Sequence, residues 1–428
     1  MGYRADSEAS RIHITGLGFA GAAGGGVDAL ARRLETGESA IQLLPPEWRP
    51  VPALQVGALL PPDWSWRDTT GAKALDAEAL AAAERLLRGG DAPLRADAAA
   101  VLEAKGSAAI APERLGLVVG GSNLAHALLA QELARFQSNP AHVNPRIGFH
   151  GLDTHVAATL AALVQAKGPV LNVAAAAASG AAAAVTALDL LRAGRCDACL
   201  VVGAMQRLSQ VDWQALAGLG ALNVSDVPAW PCTEGGGGFT PGEGAACVLL
   251  ERADHARQRG ATAWAELAGG ALVSGADPLP HPCRADEVRA MALALADAGL
   301  APGQVDLVVL HATGTARGDA AELGAVADLF GPGLDRVWAT APKAIAGHGL
   351  TSAGVVGLIA AALMLARGRI HPWPTAGVPK LSGLRVATGP ANAALHCVIT
   401  NAFGFGGFNA CLALRSLPFH TERTADTP

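Results

Sequence analysis

Short β-branched runs alternate with longer stretches rich in Ala and Leu along most of this chain. RIHITGLGF at 11–19, LGLVVGG at 115–121, PVLNVAA at 169–175, ACLVVGA at 198–204 and AACVLLE at 245–251 read as strands separated by helical segments. The pattern then begins again, with AWAELAGGALVSG at 263–275, VDLVVLHATGT at 305–315, RVWATAP at 336–342, LHCVITNAFGFGG at 395–407 and ACLALRS at 410–416. Two α/β halves of similar make-up are expected, 1–255 and 256–428, with a seam within 252–260. No short-period repeat appears, so the symmetry is that of a duplicated domain.

Two uncharged runs, 168–188 and 349–366, raise the question of a membrane span. Both are dominated by Ala and Gly and interrupted by polar residues such as Asn172, Ser179 and Thr351. They are expected to be buried core helices, with no membrane span. The stretch 44–62 is rich in Pro and Trp, 224–244 holds the glycine run 235–238, and 418–428 is a polar tail, so these read as loops.

Composition narrows the class. The chain has 428 residues with a net charge of −5, and charged residues make up 16% against 51% hydrophobic. That balance fits a well-packed globular protein and argues against nucleic acid as a partner. The seven cysteines are few and odd in number, which fits a reducing, cytoplasmic compartment. The N-terminus lacks a signal-peptide hydrophobic region, so secretion by that route is not expected. Cys196 and Cys199 form a CxxC without a second pair at ligand spacing, and the glycine run lacks the Lys-Ser/Thr of a phosphate loop. Neither a metal nor a bound cofactor is expected.

Four segments combine a strand end, a glycine-rich turn and polar residues in an apolar setting. At 172–180, NVAAAAASG runs from a strand into an Ala-rich helix whose free N–H groups and positive dipole end suit an oxyanion or a reactive thiol. At 311–322, HATGTARGDAAE places two hydroxyls and two acids behind a strand-end histidine. KAIAGH at 343–348 precedes another apolar helix. NAFGFGGFN at 401–409 has glycines that let backbone amides approach a ligand closely.

In this order, and together with the opening RIHITGLGF, GALNV at 220–224 and GFTPGEGAA at 238–246, the segments make the chain resemble the β-ketoacyl-acyl-carrier-protein synthases of the thiolase superfamily, from Arg11 to about Leu414. The resemblance implies an α/β, thiolase-like five-layered α-β-α-β-α fold of two similar halves. It implies decarboxylative condensation of a malonyl thioester with an acyl thioester in fatty-acid or polyketide assembly, the phosphopantetheine arriving on an acyl carrier protein. His311 and His348 match the family's two histidines, and Lys343 its site lysine. The backbone N–H groups of position 177 and Phe405 match the oxyanion hole, and Thr313 and Thr315 the hydroxyls that hold the pantetheine arm. Glu243, Asp319 and Glu322 match structural acids near the site. Dimerisation is also implied, through a strand around 199–202 that pairs with its counterpart, in a homodimer or in a heterodimer with a cysteine-bearing ketosynthase.

One departure changes the chemistry. The family's Cys-Ala-Ser-Gly reads Ala177-Ala178-Ser179-Gly180, and a methyl group forms no thioester. Ser179 lies two residues farther along the helix, about 200° around its axis, and is a poor replacement. Ala312 for the glycine after the histidine and Phe408 for the usual threonine are lesser departures, as is Pro231-Cys232-Thr233 where Pro-Phe-Asp is common. Three explanations stand open: a Cys-to-Ala form of a working synthase, placed first because His311, His348 and Lys343 survive; a naturally cysteine-free malonyl-carrier decarboxylase; and a non-catalytic partner resembling the chain-length factors.

Overall fold

The computed structural model describes residues 11–88, 90–233, 237–279, 281–374 and 383–417. The expected tail at 418–428 and two glycines of the run 235–238 lie outside the described residues. The first half carries β1 (Ile12–Gly21), α1 (Ala92–Lys105), β2 (Leu115–Gly120), α2 (His126–Ser138), α3 (Thr154–Val164), β3 (Val170–Val173), α4 (Ser179–Arg192), β4 (Ala198–Gly203) and β5 (Gly244–Arg252). A short helix, Ala253–Gln258, leads into the second half. That half carries β6 (Ala265–Ser274), α5 (Arg284–Asp297), β7 (Leu307–Val309), α6 (Ala316–Phe330), β8 (Trp338–Thr340), α7 (Ala353–Arg367), β9 (Arg385–Val386), β10 (Cys397–Gly404) and β11 (Phe408–Arg415).

The halves repeat one topology. In the first the strand order is β1-β5-β4-β2-β3, with two antiparallel pairs followed by two parallel ones. In the second the order is β6-β11-β10-β7-β8 with the same sequence of pairings, and β9 adds a parallel edge. A two-residue ladder, His13↔Glu266 and Ile14↔Ala265, joins the halves. The parallel strands are connected through helices, as parallel pairing requires.

Helices α4 and α7 lie between the halves and touch strands of both: α4 packs on β2, β4, β6 and β11, and α7 on β10, β4, β5 and β11. Helices α1 and α3 cover one outer face, and α5 and α6 the other. The arrangement is the five-layered α-β-α-β-α fold of the thiolase type. Every residue of α7 from Ala353 to Leu365 is buried. By length and composition Leu350–Arg367 is apolar enough to cross a membrane, yet 83% of it is covered by the protein, which is what a helix clad by sheets on two sides needs. The two central helices meet through small residues. A Cβ on Gly354 would sit 2.6 Å from the Ala181 nitrogen, and one on Gly180 2.8 Å from the Thr351 carbonyl oxygen, so only glycine permits this approach.

Two expectations need correction. The run 168–188 is not one helix: it contains β3, a tight elbow and most of α4, because β3 is short and its apolar character merges with the helix that follows. The strand around 199–202 cannot pair with a counterpart in a dimer. It is β4, hydrogen-bonded on one side to β2 and on the other to β5, and has no free edge. The outer strand of this half is β3, with Leu171 exposed.

Candidate active site

The end of β3 turns sharply before α4 begins. Ala176 has φ +47, a left-handed conformation that costs an alanine about 1–2 kcal/mol and marks an over-determined site. Ser179 holds the elbow: its Oγ accepts the Ala175 N–H at 2.9 Å and donates to the Ala176 carbonyl at 2.6 Å. The hydroxyl is fully buried and committed to this turn. Gly404, at the end of β10, packs on the same elbow; a Cβ there would lie 2.5 Å from the Ala175 carbonyl oxygen and 3.2 Å from the Ala177 nitrogen. Phe405 follows in the β10–β11 turn and is 47% exposed, next in the chain to the Gly404 that packs on the Ala177 nitrogen. Phe408, half-buried, opens β11 opposite Gly404.

His311 sits two residues beyond β7, and His348 precedes the turn that starts the central helix. Their rings face each other edge to face, 5.5 Å between centroids and 86° between planes. Phe403 packs against His311 at 5.6 Å and Phe239 against His348 at 5.2 Å. Each imidazole has its Nδ1 occupied. The Leu350 backbone N–H donates to His348 Nδ1 at 3.3 Å, and the Lys343 ammonium approaches His311 Nδ1 at 3.3 Å while donating to the His311 carbonyl at 2.5 Å. Burial, reinforced by Lys343, pushes both histidines well below their ordinary value, with His348 adding to the effect on His311. Both are therefore neutral at pH 7. With Nδ1 accepting, the remaining proton of each is on Nε2, so the pair presents two N–H donors.

Burial lowers Lys343 to about 8, against the pull of Glu322 and Asp319. Glu322 fixes the backbone that carries His311: Oε1 accepts the His311 N–H and Oε2 the Ala312 N–H, both at 2.7 Å, and Asn401 Nδ2 donates to Oε1 at 3.0 Å. Asp319 accepts the N–H groups of Thr313, Gly314 and Cys232, tying the hydroxyl turn to the 232 loop. Thr313 and Thr315 hydrogen-bond to each other at 2.9 Å. Glu243 accepts the Leu60 N–H at 2.9 Å and has Arg207 at 3.6 Å. A small cavity borders Lys343, Glu243, Gly357, Thr400 and Asn401.

The structure thus brings His311, His348, Lys343, Thr313, Thr315, Asp319 and Glu322 into one cluster, and places Ala177 at the elbow against Gly404, one residue before Phe405. Sequence reasoning missed the Leu350 N–H, the capping role of Ser179, and Asn401, although Asn401 opens one of the four segments. Among the described residues no group of three or more His, Cys, Asp or Glu is placed to hold a metal ion. Of the cysteines, Cys283 is exposed and the others are buried, none in a disulfide.

A five-layered duplicated fold with a strained elbow at a helix start and two neutral histidines from the other half defines the thiolase-fold class. Within it, the chain belongs to the beta-ketoacyl synthase family: it matches the family's N-terminal domain over residues 9–256 and its C-terminal domain over 264–376. It is 29% identical over 311 residues to the polyketide biosynthesis malonyl-ACP decarboxylase PksF of Bacillus subtilis, covering 71% of this chain and 74% of that one. It is 32% identical to nodulation protein E of Rhizobium leguminosarum, covering 62% and 66%. To 3-oxoacyl-[acyl-carrier-protein] synthase 2 of Mycobacterium tuberculosis it is 34% identical over 264 residues, covering 58% and 61%. The chain thus spans about three quarters of the first relative's length and less than two thirds of the other two. Among solved structures, the ishigamide ketosynthase/chain length factor superposes with TM-score 0.81 at 24% identity, covering 95% of this chain and 99% of that one. A beta-ketoacyl synthase from Burkholderia phymatum gives 0.78 at 24%, covering 95% and 100%. These structural likenesses show the fold. The protein is of the ketosynthase type found in fatty-acid and polyketide assembly.

Proposed function

We propose that this chain binds a malonyl thioester on an acyl carrier protein and decarboxylates it to the acetyl thioester without an acyl-enzyme. The observation that carries the reading is the pairing of an intact, neutral two-histidine site with a methyl group at 177. The thioester carbonyl oxygen accepts from the Nε2–H groups of His311 and His348. When the C–COO⁻ bond breaks, its electron pair flows into that carbonyl to give an enolate, and the two donors stabilise the developing negative charge. CO₂ leaves, and the enolate carbon takes a proton from water. Neutral imidazoles suit this role, since donors already oriented by Leu350 and Lys343 need no reorganisation. Ala177 offers no nucleophile and Ser179 is spent on the elbow, so the carbanion has no acyl-enzyme to attack. The relative in Bacillus subtilis named as a malonyl-ACP decarboxylase supports this reading over the other two explanations.

The carrier's pantetheine arm runs past Thr313 and Thr315, and Arg317, exposed in the first turn of α6, offers a charge to its phosphate. A second subunit, a copy of this chain or a cysteine-bearing relative, pairs along the edge of β3. The exposed Leu171 and the α2 stripe of Leu129, Leu133 and Phe136 furnish apolar surface for it. The test is intact-mass analysis of malonyl-carrier incubated with the protein. Loss of CO₂, reduced about 100-fold in His348→Ala, supports the proposal, and malonyl-carrier recovered unchanged overturns it.

A further inference from the structure

Helix α5 turns one face to the core, where Glu287, Ala290, Met291, Ala294 and Leu295 are buried. Four of these are apolar and the fifth is a carboxylic acid that is 1% exposed. Glu287 Oε2 meets no hydrogen-bond partner among the described residues. One turn along the same face, Met291 Sδ receives Asn401 Nδ2 at 3.4 Å. That Nδ2 also donates to Glu322 Oε1 at 3.0 Å, so Glu287 lies one helical turn from a Met291–Asn401–Glu322 chain behind His311, on a helix that packs against both α6 and β10. Asn401 Oδ1 is a second buried acceptor without a partner among the described residues. Two orphaned acceptors in one apolar layer are costly, and a proton on Glu287 converts one of them into a donor for its neighbours.

We propose that Glu287 and Glu322 form a buried carboxyl pair carrying one proton, held by Glu287, and that Glu287 is thereby a positioning residue for His311, acting through Glu322. Glu322 stays ionised, grips the His311 and Ala312 N–H groups and faces the Lys343 ammonium. Burial, then Glu322 and Asp286, push Glu287 up to about 9, which agrees with a neutral acid at pH 7. The titratable groups around it are Asp286 on its own helix, Glu322 on α6 with Lys343 beyond it, and Cys411 on β11, whose thiol burial pushes up. Arg289 lies toward Asp286 at 4.0 Å, and Arg284 is engaged with Asp328 at the surface. The pair's link to chemistry rests on the reading of His311 given above.

The test compares the full chain with Glu287→Gln, which keeps shape and a donor but has no proton to lose. An acid held at about 9 in the fold and near 4.5 when unfolded makes the protein lose stability steadily as pH rises between those values. The melting temperature of Glu287→Gln should therefore match the parent near pH 5 and exceed it by a growing margin up to pH 9. A margin that stays constant over this range overturns the carboxyl pair. Nitrogen NMR of the His311 imidazole reads the positioning. The parent should show an inflection near pH 9 that Glu287→Gln lacks, while the inflection near pH 8 from Lys343 stays in both. Identical His311 titrations would overturn the positioning role. Both readouts are independent of turnover, so a chain without decarboxylase activity would sink the functional reading and leave this one to be judged separately.

Discussion

Replacing Lys343 with methionine removes a buried cation while keeping a side chain of similar length, which separates the stability of the fold from the working of the site. Burial lowers the lysine from 10.5 to about 8 even with Glu322 and Asp319 drawing it up, and the residue is 8% exposed. Between pH 8 and 10.5 the folded protein binds fewer protons than the unfolded chain, so the cost of the charge is fully present below pH 8 and fades as pH rises to 10.5. Bringing the lysine from 10.5 to about 8 corresponds to about 3 kcal/mol. Losing the hydrogen bond to the His311 carbonyl gives back about 1 kcal/mol, which leaves a net gain of about 2 kcal/mol. For a chain of 428 residues that is a rise of about 2 °C in melting temperature. The same substitution strips His311 Nδ1 of its donor, so decarboxylation should fall about 100-fold. Scanning fluorimetry from pH 6.5 to 10.5, run beside the turnover assay, checks both. A methionine variant that melts lower at pH 7, or a stability gap that does not close between pH 8 and 10.5, would refute the reasoning.

Three more outcomes are expected. Because both histidines are held neutral well below their ordinary range, decarboxylation at saturating carrier should stay level as pH falls from 7 to 5.5; an acid limb near 6.5 that disappears in His311→Ala or His348→Ala would contradict this. Gly404→Ala puts a methyl group 2.5 Å from the Ala175 carbonyl oxygen, a backbone atom that cannot step aside, so it should cost about 1–3 kcal/mol and at least tenfold in turnover. Unchanged melting and activity would show that the elbow does not need this contact. Leu171→Arg on the free edge of β3 should convert a dimer to a monomer in light scattering, whereas the same change at the interior Val201 should unfold the chain; a dimer that survives Leu171→Arg would place the interface elsewhere.

The duplicated architecture was legible because strands and helices alternate twice in the same order, and the four segments with their glycines carry the turns that build the site. His311, His348 and Lys343 were assigned through the family resemblance that the four segments carry in their order, and the structure places them in one cluster. The dimer strand was misplaced because 198–204 and 169–175 are equally apolar in sequence, and only the sheet order shows which has a free edge. The Leu350 N–H was invisible because backbone donors leave no mark in a sequence, while the neutrality of both histidines depends on burial between two halves far apart in the chain. Glu287 did leave a signal: a lone acid at the spacing 287, 290, 291, 294 of an otherwise apolar helix face.

The methyl group at 177 is the departure that removes the acyl-enzyme while both histidines stay in place. Malonyl-carrier and an acyl-carrier are incubated with the parent chain and with Ala177→Cys, and every carrier-bound species and the protein itself are read by intact mass. The parent is expected to yield acetyl-carrier with no mass added to the protein, and Ala177→Cys to become acylated and give the β-ketoacyl product. A parent chain that itself becomes acylated and condenses, or an Ala177→Cys variant that binds malonyl-carrier yet never forms an acyl-enzyme, would contradict this role of position 177.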